Sequence, residues 1–460
     1  MPGEDTIAAI STPAGEGGIG IVRVSGDKAF SLVDQIFIPH RGKKKGYPLS
    51  HHLYHGHIIN EQGEIIDEVL VSFMRSPHTY TCEDTVEVNC HSGIFTLRLI
   101  LSLILKKGAR LAEPGEFTRR AFLNGRIDLS QAENVLRIIQ ARSEEGVKLA
   151  ALNVTGYLSE EIASLRNSIM DNLAQIEAVL DFPEDLECDS TETQLKPNLE
   201  IMINQVKDLL EGAERGRAYQ EGIKTAIIGK PNVGKSSLLN ALLKQQRAIV
   251  HEVPGTTRDL LEGYLNLGGY PIQIIDTAGI RQTVDPVEQE GISRSKNAAE
   301  KAQLLLIVLD GSTPWEAEDE AITRLIREGQ AVIMVLNKSD LPLRTTVKEV
   351  EERFPGIPVV STAIVKNEGI RQLEEEMIKL LDRKLGHGGE NAALLSLRQE
   401  EAIKGALRHL EKAADQIDTQ PLELVSLELH GAWQKLGEIT GDTVSDELLD
   451  RIFSQFCLGK

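Results

Sequence analysis

Eight residues near the middle of the chain, Gly229 to Ser236, read G-K-P-N-V-G-K-S, a G-x-x-x-x-G-K-S spacing. The two glycines let a backbone wrap closely around phosphate. The N–H groups of Asn232, Val233, Gly234, Lys235, Ser236 and Ser237 then converge at the start of a helix, where the dipole favours anions. Lys235 adds a point charge for β and γ phosphates, and Ser236 is by type a Mg2+ ligand. The apolar run "KTAIIG" before the loop and "SSLLNALL" after it supply the strand and helix that this spacing needs.

Three further strings follow in a consistent order. "DTAG" (Asp276, Thr277, Ala278, Gly279) closes the apolar run "PIQIID". Asp276 there would reach Mg2+ through water, and the Gly279 N–H would face a γ-phosphate. "NKSD" (Asn337, Lys338, Ser339, Asp340) closes "AVIMVLN". The two Asp340 oxygens match the ring N–H and exocyclic amine of guanine, a donor pair adenine lacks. "GTTRD" (255–259) lies where a switch threonine belongs. Each string alone is weak; their order and spacing predict GTP binding. A glutamine that positions water often follows the D-x-x-G motif, and Ile280 stands there instead. Arg258, Arg281 and Glu288 are the nearby groups able to replace it.

These loops need strands to hold them. From 216 to 382, "KTAIIG", "PIQIID", "QLLLIVLD", "AVIMVLN" and "IPVVS" read as buried strands, with helices such as "EGIRQLEEEMIKLL" between or after them. That pattern predicts a mostly parallel α/β sheet. Residues 1–118 mix short strands with turns, as in "IGIVRVSG" and "EVLVSFM". Residues 119–215 turn helical, with Ile162, Leu165, Ile169, Leu173, Ile176 and Val179 on one face before "DFPED" breaks the pattern. After a link at "GHGGEN", residues 383–460 are helical again. An α/β domain at 216–382 therefore interrupts a helical domain formed by 119–215 and 383–460, behind an N-terminal domain at 1–118.

The totals limit the alternatives. A length of 460 residues predicts several domains, and a net charge of −19 argues against a whole surface that clamps nucleic acid. Cys82, Cys90, Cys188 and Cys457 are scattered without a C-x-x-C pair, which excludes a zinc ribbon and points to a reducing compartment. The first residues are acidic and Gly-rich, unlike a signal peptide. "LRLILSLILKK" carries Arg98 and is too short to span a bilayer, so it reads as a core helix. The expectation is a cytoplasmic protein with no membrane contact.

With these motifs placed, the whole chain resembles the bacterial tRNA modification GTPases of the MnmE (TrmE) family. The resemblance rests on "DTIAAISTPAGEGGIGIVRVSG", "SPHTYTCEDTVEVNCHSG", "EPGEFTRRAFLNGRIDLSQAE", the position of the inserted GTPase domain and the tail "FCLGK". It implies an N-terminal α+β folate-binding domain of the GcvT-like type that forms a homodimer. A helical domain would carry an inserted Ras-like P-loop G domain. A heterotetramer with the FAD protein MnmG (GidA) would install a carboxymethylaminomethyl or aminomethyl group at carbon 5 of the tRNA wobble uridine. The one-carbon unit would come from 5-formyl-tetrahydrofolate or a related tetrahydrofolate.

The resemblance also implies site residues. K+ would take the place of an arginine finger when two G domains pair over GTP. Its ligands would be the Asn232 and Thr256 side chains and the His251 and Val253 carbonyls. The same loop, including Glu252, Pro254, Gly255 and Thr257, would line the nucleotide, with Thr257 joining Ser236 on Mg2+. Glu288 would orient the attacking water through a second water, beside Lys235. Arg23, Glu87, Arg126 and Lys460 would contact folate, and Cys457 would be a nucleophile or line the tRNA-facing site. The chain departs from the family pattern at several positions. Arg126 replaces a common lysine, Cys82 and Ser92 replace glycines, and His251 replaces Thr or Ser. Ala363 occupies the serine slot of the guanine loop.

Competing readings are weaker. "HHLYHGH", with His51, His52, His55 and His57, invites a metal, but it lacks an acidic or cysteine partner at matching spacing and alternates like a strand. "RGKKKG" (41–46) reads as a solvated turn more readily than as a tRNA contact. The alternative function is a ribosome-assembly GTPase of the Era or Der type. The Der type has two P-loops against one here. The Era type has a KH domain, and Gly386 to Gly389 is the only G-x-x-G after the G domain. A folate module with a degenerate G domain is opposed by the intact Lys235, Ser236 and Asp340.

Overall fold

The computed structural model describes residues 5–13, 15, 17–43, 47–182, 188–245, 264–275, 296–385 and 393–459. The chain divides into two compact units. One joins residues 1–136, 153–196 and 408–460; the other joins 137–152 and 197–407.

The first unit is built on a seven-stranded sheet. Its strands are β1 (Ile7–Ile10), β2 (Gly20–Ser25), β3 (Phe37–Pro39), β4 (His52–Ile59), β5 (Ile65–Met74), β6 (Thr85–Cys90) and β7 (Arg110–Leu111), in the order β3-β4-β5-β6-β2-β1-β7. All pairings are antiparallel except β1 with β7. Alternation along β2 buries Val22 and Val24, and along β5 it buries Val69, Val71 and Phe73. The helix Ile94–Lys106 covers that face with Leu97, Ile100, Leu103 and Ile104. The run around "LRLILSLILKK" is thus a core helix. Among the described residues, no helix is long and apolar enough to cross a membrane.

Helical segments complete this unit. The helix Tyr157–Asp181 buries the anticipated stripe Ile162, Leu165, Ile169, Leu173, Ile176 and Val179. It packs against the helix Leu422–Thr440, from the far end of the chain. The chain closes with the helix Asp446–Phe453, whose Phe453 and the following Phe456 pack with Leu129 and Phe122.

The second unit holds a six-stranded sheet. Its strands are β8 (Ile223–Ile228), β9 (Tyr264–Leu267), β10 (Tyr270–Ile274), β11 (Leu304–Asp310), β12 (Ala331–Asn337) and β13 (Val359–Ser361), in the order β13-β12-β11-β8-β10-β9. Only β9 runs antiparallel, to β10. The five parallel strands are those read from the apolar runs; β9 adds a sixth strand, whose Tyr-Leu-Asn-Leu sequence is not an unbroken apolar run. β11 and β12 are buried nearly throughout. Separate cores lie on the two faces, one with Ile223, Ile227, Leu306 and Ile333, the other with Ala226, Ile228, Ile307 and Met334. Burial on both faces explains continuous apolar strands in place of alternation. The helix Cys188–Glu221 leads into this sheet, and Gly222 turns the chain into β8 at φ +88°.

Candidate functional site

All five parallel strands direct their C-terminal ends to one edge of the sheet, where ligands of open α/β sheets bind. The loop 229–234 leaves β8 there and feeds the helix Lys235–Gln245. Gly229 stands at φ +155°, and a Cβ on it would meet the Val308 carbonyl oxygen at 2.3 Å. Gly234 stands at φ +107°, and a Cβ there would meet Asn337 Nδ2 at 2.3 Å. Both glycines are therefore required by conformation and by space. Asn232, exposed at the crest of the loop, takes the left-handed conformation at φ +61°, which asparagine tolerates. Val233 is buried, and Ser236 and Ser237 lie at the first turn of the helix.

Lys235 folds back over the loop. Its Nζ donates to the Gly229 carbonyl at 2.8 Å and to the Lys230 carbonyl at 2.6 Å. Burial pulls its ammonium below the ordinary lysine range. Both partners are neutral, so an arriving phosphate supplies a counter-charge that the two carbonyls do not. Lys230 plays a structural part instead. It binds Glu316 at 2.9 Å and Asp319 at 2.7 Å, tying the loop to the start of the helix Ala317–Thr323.

Asn337, the last residue of β12, joins two loops. Its Nδ2 donates to the Val233 carbonyl at 2.8 Å. Its Oδ1 accepts from Thr362 Oγ1 at 3.2 Å and from the Ile364 N–H at 3.3 Å. The loop after β8, the end of β12 and the segment after β13 are thereby held in one frame. Lys338 adopts φ +64° and pairs with Asp310 at 2.5 Å. Burial raises the Asp310 carboxyl, but hydrogen bonds from Lys338 and Ser312 outweigh it and hold the group below the usual range. Asp340 is left exposed beside the base loop. Ala363 is fully buried and its N–H is committed to the Glu368 carbonyl at 3.1 Å. The serine slot is thus filled by a packed methyl group.

Asp310, Lys230, Asp319 and Thr362 were not singled out from the sequence. Asp310 had a usable signal, since it ends an apolar strand directly before a glycine. Several anticipated residues, His251, Glu252, Val253, Pro254, Gly255, Thr256, Thr257, Asp276, Thr277, Ala278, Gly279 and Glu288, lie outside the described residues. So do Arg258, Arg281 and Lys460.

The first unit gathers a second cluster. β2 and β6 set Arg23 opposite Glu87, paired through Nε at 2.9 Å and a terminal nitrogen at 2.8 Å. The Tyr80 ring lies 5.4 Å from the Arg23 guanidinium and 4.8 Å from that of Arg126, which also donates to the Tyr80 carbonyl at 3.0 Å. The C-terminal segment folds onto this group: the Gly459 carbonyl accepts from Arg23 at 3.4 Å and from Ser11 Oγ at 3.1 Å. Gly459 takes φ +87°, and a Cβ there would meet the Ile10 carbonyl oxygen at 2.3 Å. Cys457 is exposed, and its carbonyl accepts from the Gly115 N–H at 3.4 Å. Arg23, Glu87, Arg126 and the tail are thus brought together. Cys82, in place of glycine, keeps the left-handed backbone at φ +59°.

The motif "EPGEFTRRAF" builds the support beneath. Arg120 is buried and binds Asp5 at 2.7 Å, both Glu83 oxygens at 3.1 Å and Glu116 at 3.0 Å. Arg110 grips the same Glu116 at 2.6 Å and 3.0 Å. Burial raises the Glu116 carboxyl, but hydrogen bonds from Arg110, the Glu113 N–H and Arg120 more than offset it and hold it low.

Similarity to known proteins extends over the whole chain. A family model described as the MnmE helical domain matches residues 129–457, and one described as the GTP-binding protein TrmE N-terminus matches residues 6–126. A protein of Carboxydothermus hydrogenoformans named tRNA modification GTPase MnmE is 48% identical over 461 residues, covering 99% of this chain and 100% of that protein. Its namesake in Bacillus subtilis is 44% identical over 460 residues, covering 99% of this chain and 100% of that one. Among solved structures, Era of Aquifex aeolicus is 26% identical with a TM-score of 0.27, covering 41% of this chain and 66% of the other. On the strength of the full-length relatives, the chain belongs to the family of tRNA modification GTPases named MnmE.

Proposed function

We propose that this chain hydrolyses GTP and uses the cycle to drive modification of the wobble uridine of tRNA, as a homodimer in complex with MnmG in the cytoplasm. The observation that carries the reading is Asn337, which clamps the phosphate loop and the base loop together. That arrangement suits a purine nucleoside triphosphate, which needs both loops at fixed positions. The names of the full-length relatives supply the tRNA substrate.

The residues suit the groups the function needs. The loop 229–237 would present two indispensable glycines and the half-buried Lys235 to a triphosphate. Mg2+ would be held by the Ser236 hydroxyl, with Thr257. K+ would be held by the Asn232 side chain, with Thr256 and the carbonyls of His251 and Val253. When bound, these cations would supply positive charge to offset the negative charge that develops on the phosphates. Glu288 would position the water in place of the glutamine missing at Ile280.

The second cluster suits a reduced folate. Arg23 and Arg126 offer guanidinium groups to its carboxylates, Tyr80 a ring face, and Glu87 an acceptor for the amino-pyrimidinone edge of the pterin. The tail would bring Lys460 and Cys457 to the same place. Arg23→Ala is expected to weaken 5-formyl-tetrahydrofolate binding roughly 10- to 100-fold, the worth of one charge-assisted hydrogen bond. Calorimetry showing equal affinity would remove Arg23 from the site.

The test of the whole reading is steady-state GTP hydrolysis in KCl and in NaCl at equal ionic strength. KCl is expected to be faster by on the order of 10²-fold, the scale of one fixed transition-state contact. Equal rates in the two salts would end the potassium mechanism and return the missing glutamine to a group supplied in trans.

A further inference from the structure

Two histidines of β4, the histidine that follows β3 and a glutamate of β5 meet on the outer face of the first sheet. Along β4, Gly56 and Ile58 turn inward, so His55 and His57 share the outward face. Glu68 on β5 is the register partner of His57. β3 pairs Pro39 with Gly56, and the next residue, His40, donates its N–H to the His55 carbonyl at 3.0 Å. His40 thereby lies across β4, with ring centroids 4.4 Å from His55 and 4.5 Å from His57. Gly56 makes this approach possible: a Cβ there would meet the Ile38 carbonyl oxygen at 2.2 Å and the Phe37 ring at 2.7 Å.

The donor atoms converge. One ring nitrogen each of His40 and His57 and one carboxylate oxygen of Glu68 lie within 4.8 Å of one another. Glu68 Oε1 also sits 2.7 Å from His55 Nε2 and 3.4 Å from His40 Nε2. Two imidazoles and a carboxylate suit a borderline metal such as Zn2+ far better than Mg2+ or K+, which prefer oxygen. The set lies in the first unit and shares no residue with the phosphate loop.

We propose that His40, His57 and Glu68 form a Zn2+ site with one open position for water, in which the His55 ring holds the Glu68 carboxylate in place. Small rotamer adjustments of these side chains draw the three donors to metal-ligand distance, about 2.0–2.2 Å. The site would pin β3 to β5 across β4. His55 acts as the outer partner that orients a ligand.

The test titrates the full chain, stripped with a chelator, with ZnCl2 by calorimetry and with Co2+ by visible absorption. One equivalent per chain is expected, with d–d bands for Co2+ at low coordination number. His57→Ala and Glu68→Gln should each weaken Zn2+ at least tenfold, and His55→Ala should weaken it by roughly tenfold. His52→Ala, on the same strand but on the other face, should bind as the unchanged chain does. Circular dichroism reports whether each variant folds. Absence of saturable binding, or undiminished binding in the His57→Ala/Glu68→Gln double variant, overturns the proposal. GTP hydrolysis by these variants is expected to match the unchanged chain, so this outcome is independent of the salt test above.

Discussion

Asp340→Asn is expected to lower GTP affinity by on the order of 10²–10³-fold and to make xanthosine triphosphate the better ligand. The residue stands exposed three positions after Asn337, whose hydrogen bonds to Val233, Thr362 and Ile364 set the position of the whole loop. Lys338, in its left-handed conformation, turns to Asp310, and Asp340 stays exposed without sharing that ion pair. A carboxylate accepts two charge-assisted hydrogen bonds from guanine, each about twice as strong as a neutral one. Asparagine replaces one acceptor with a donor that opposes the guanine amine. Xanthine carries a carbonyl there, so the same amide becomes complementary. Fluorescent-nucleotide titration with both triphosphates measures the exchange. An unchanged GTP affinity would show that another group reads the base.

Arg120→Ala is expected to cost the first unit roughly 3–5 kcal/mol, the loss typical of breaking a buried ion network. The variant leaves Glu83 and Glu116, both largely buried, without the guanidinium between them. Arg110 still binds Glu116, so the network loses its centre but keeps an edge. Differential scanning calorimetry of the full chain should show one transition moved down while nucleotide binding by the second unit persists. A shift under about 1 kcal/mol, the level of exposed pairs, would mean that the network is solvated in practice. Acid should act on the same group. Burial raises the Asp5 and Glu116 carboxyls, but their arginine partners hold both below the ordinary value. Their contribution is complete above the unfolded pKa, near 4, and disappears as pH falls through the lower folded values. Stability of the unit should therefore decline below about pH 4, and less steeply in Arg120→Ala.

The nucleotide loops were legible because their chemistry is local. Gly229, Gly234, Lys235 and Ser236 fall within eight residues, and a strand end next to a helix start is written in the same few turns of chain. The parallel strands were legible because burial on both faces makes each an unbroken apolar run. The helix Tyr157–Asp181 was legible because a single buried stripe repeats every three or four residues. β9 was not, since Asn266 stands between the buried Leu265 and Leu267 and its four residues form no unbroken apolar run.

Features written within one short stretch could thus be read from residue order: the strand–loop–helix at 229–237, the strand end at 337, and family membership through motifs spread along the whole chain. Which distant residues meet could be read only from the folded chain. Folding set Asn337 on Val233, Gly459 on Arg23, Arg120 among Asp5, Glu83 and Glu116, and His40 and Glu68 around His57. "HHLYHGH" illustrates why. Spacing along the strand offers it no acidic partner, but in a sheet the nearest neighbour of a side chain lies across the ladder, about 5 Å away in space and at any distance in sequence, as Glu68 does from His57.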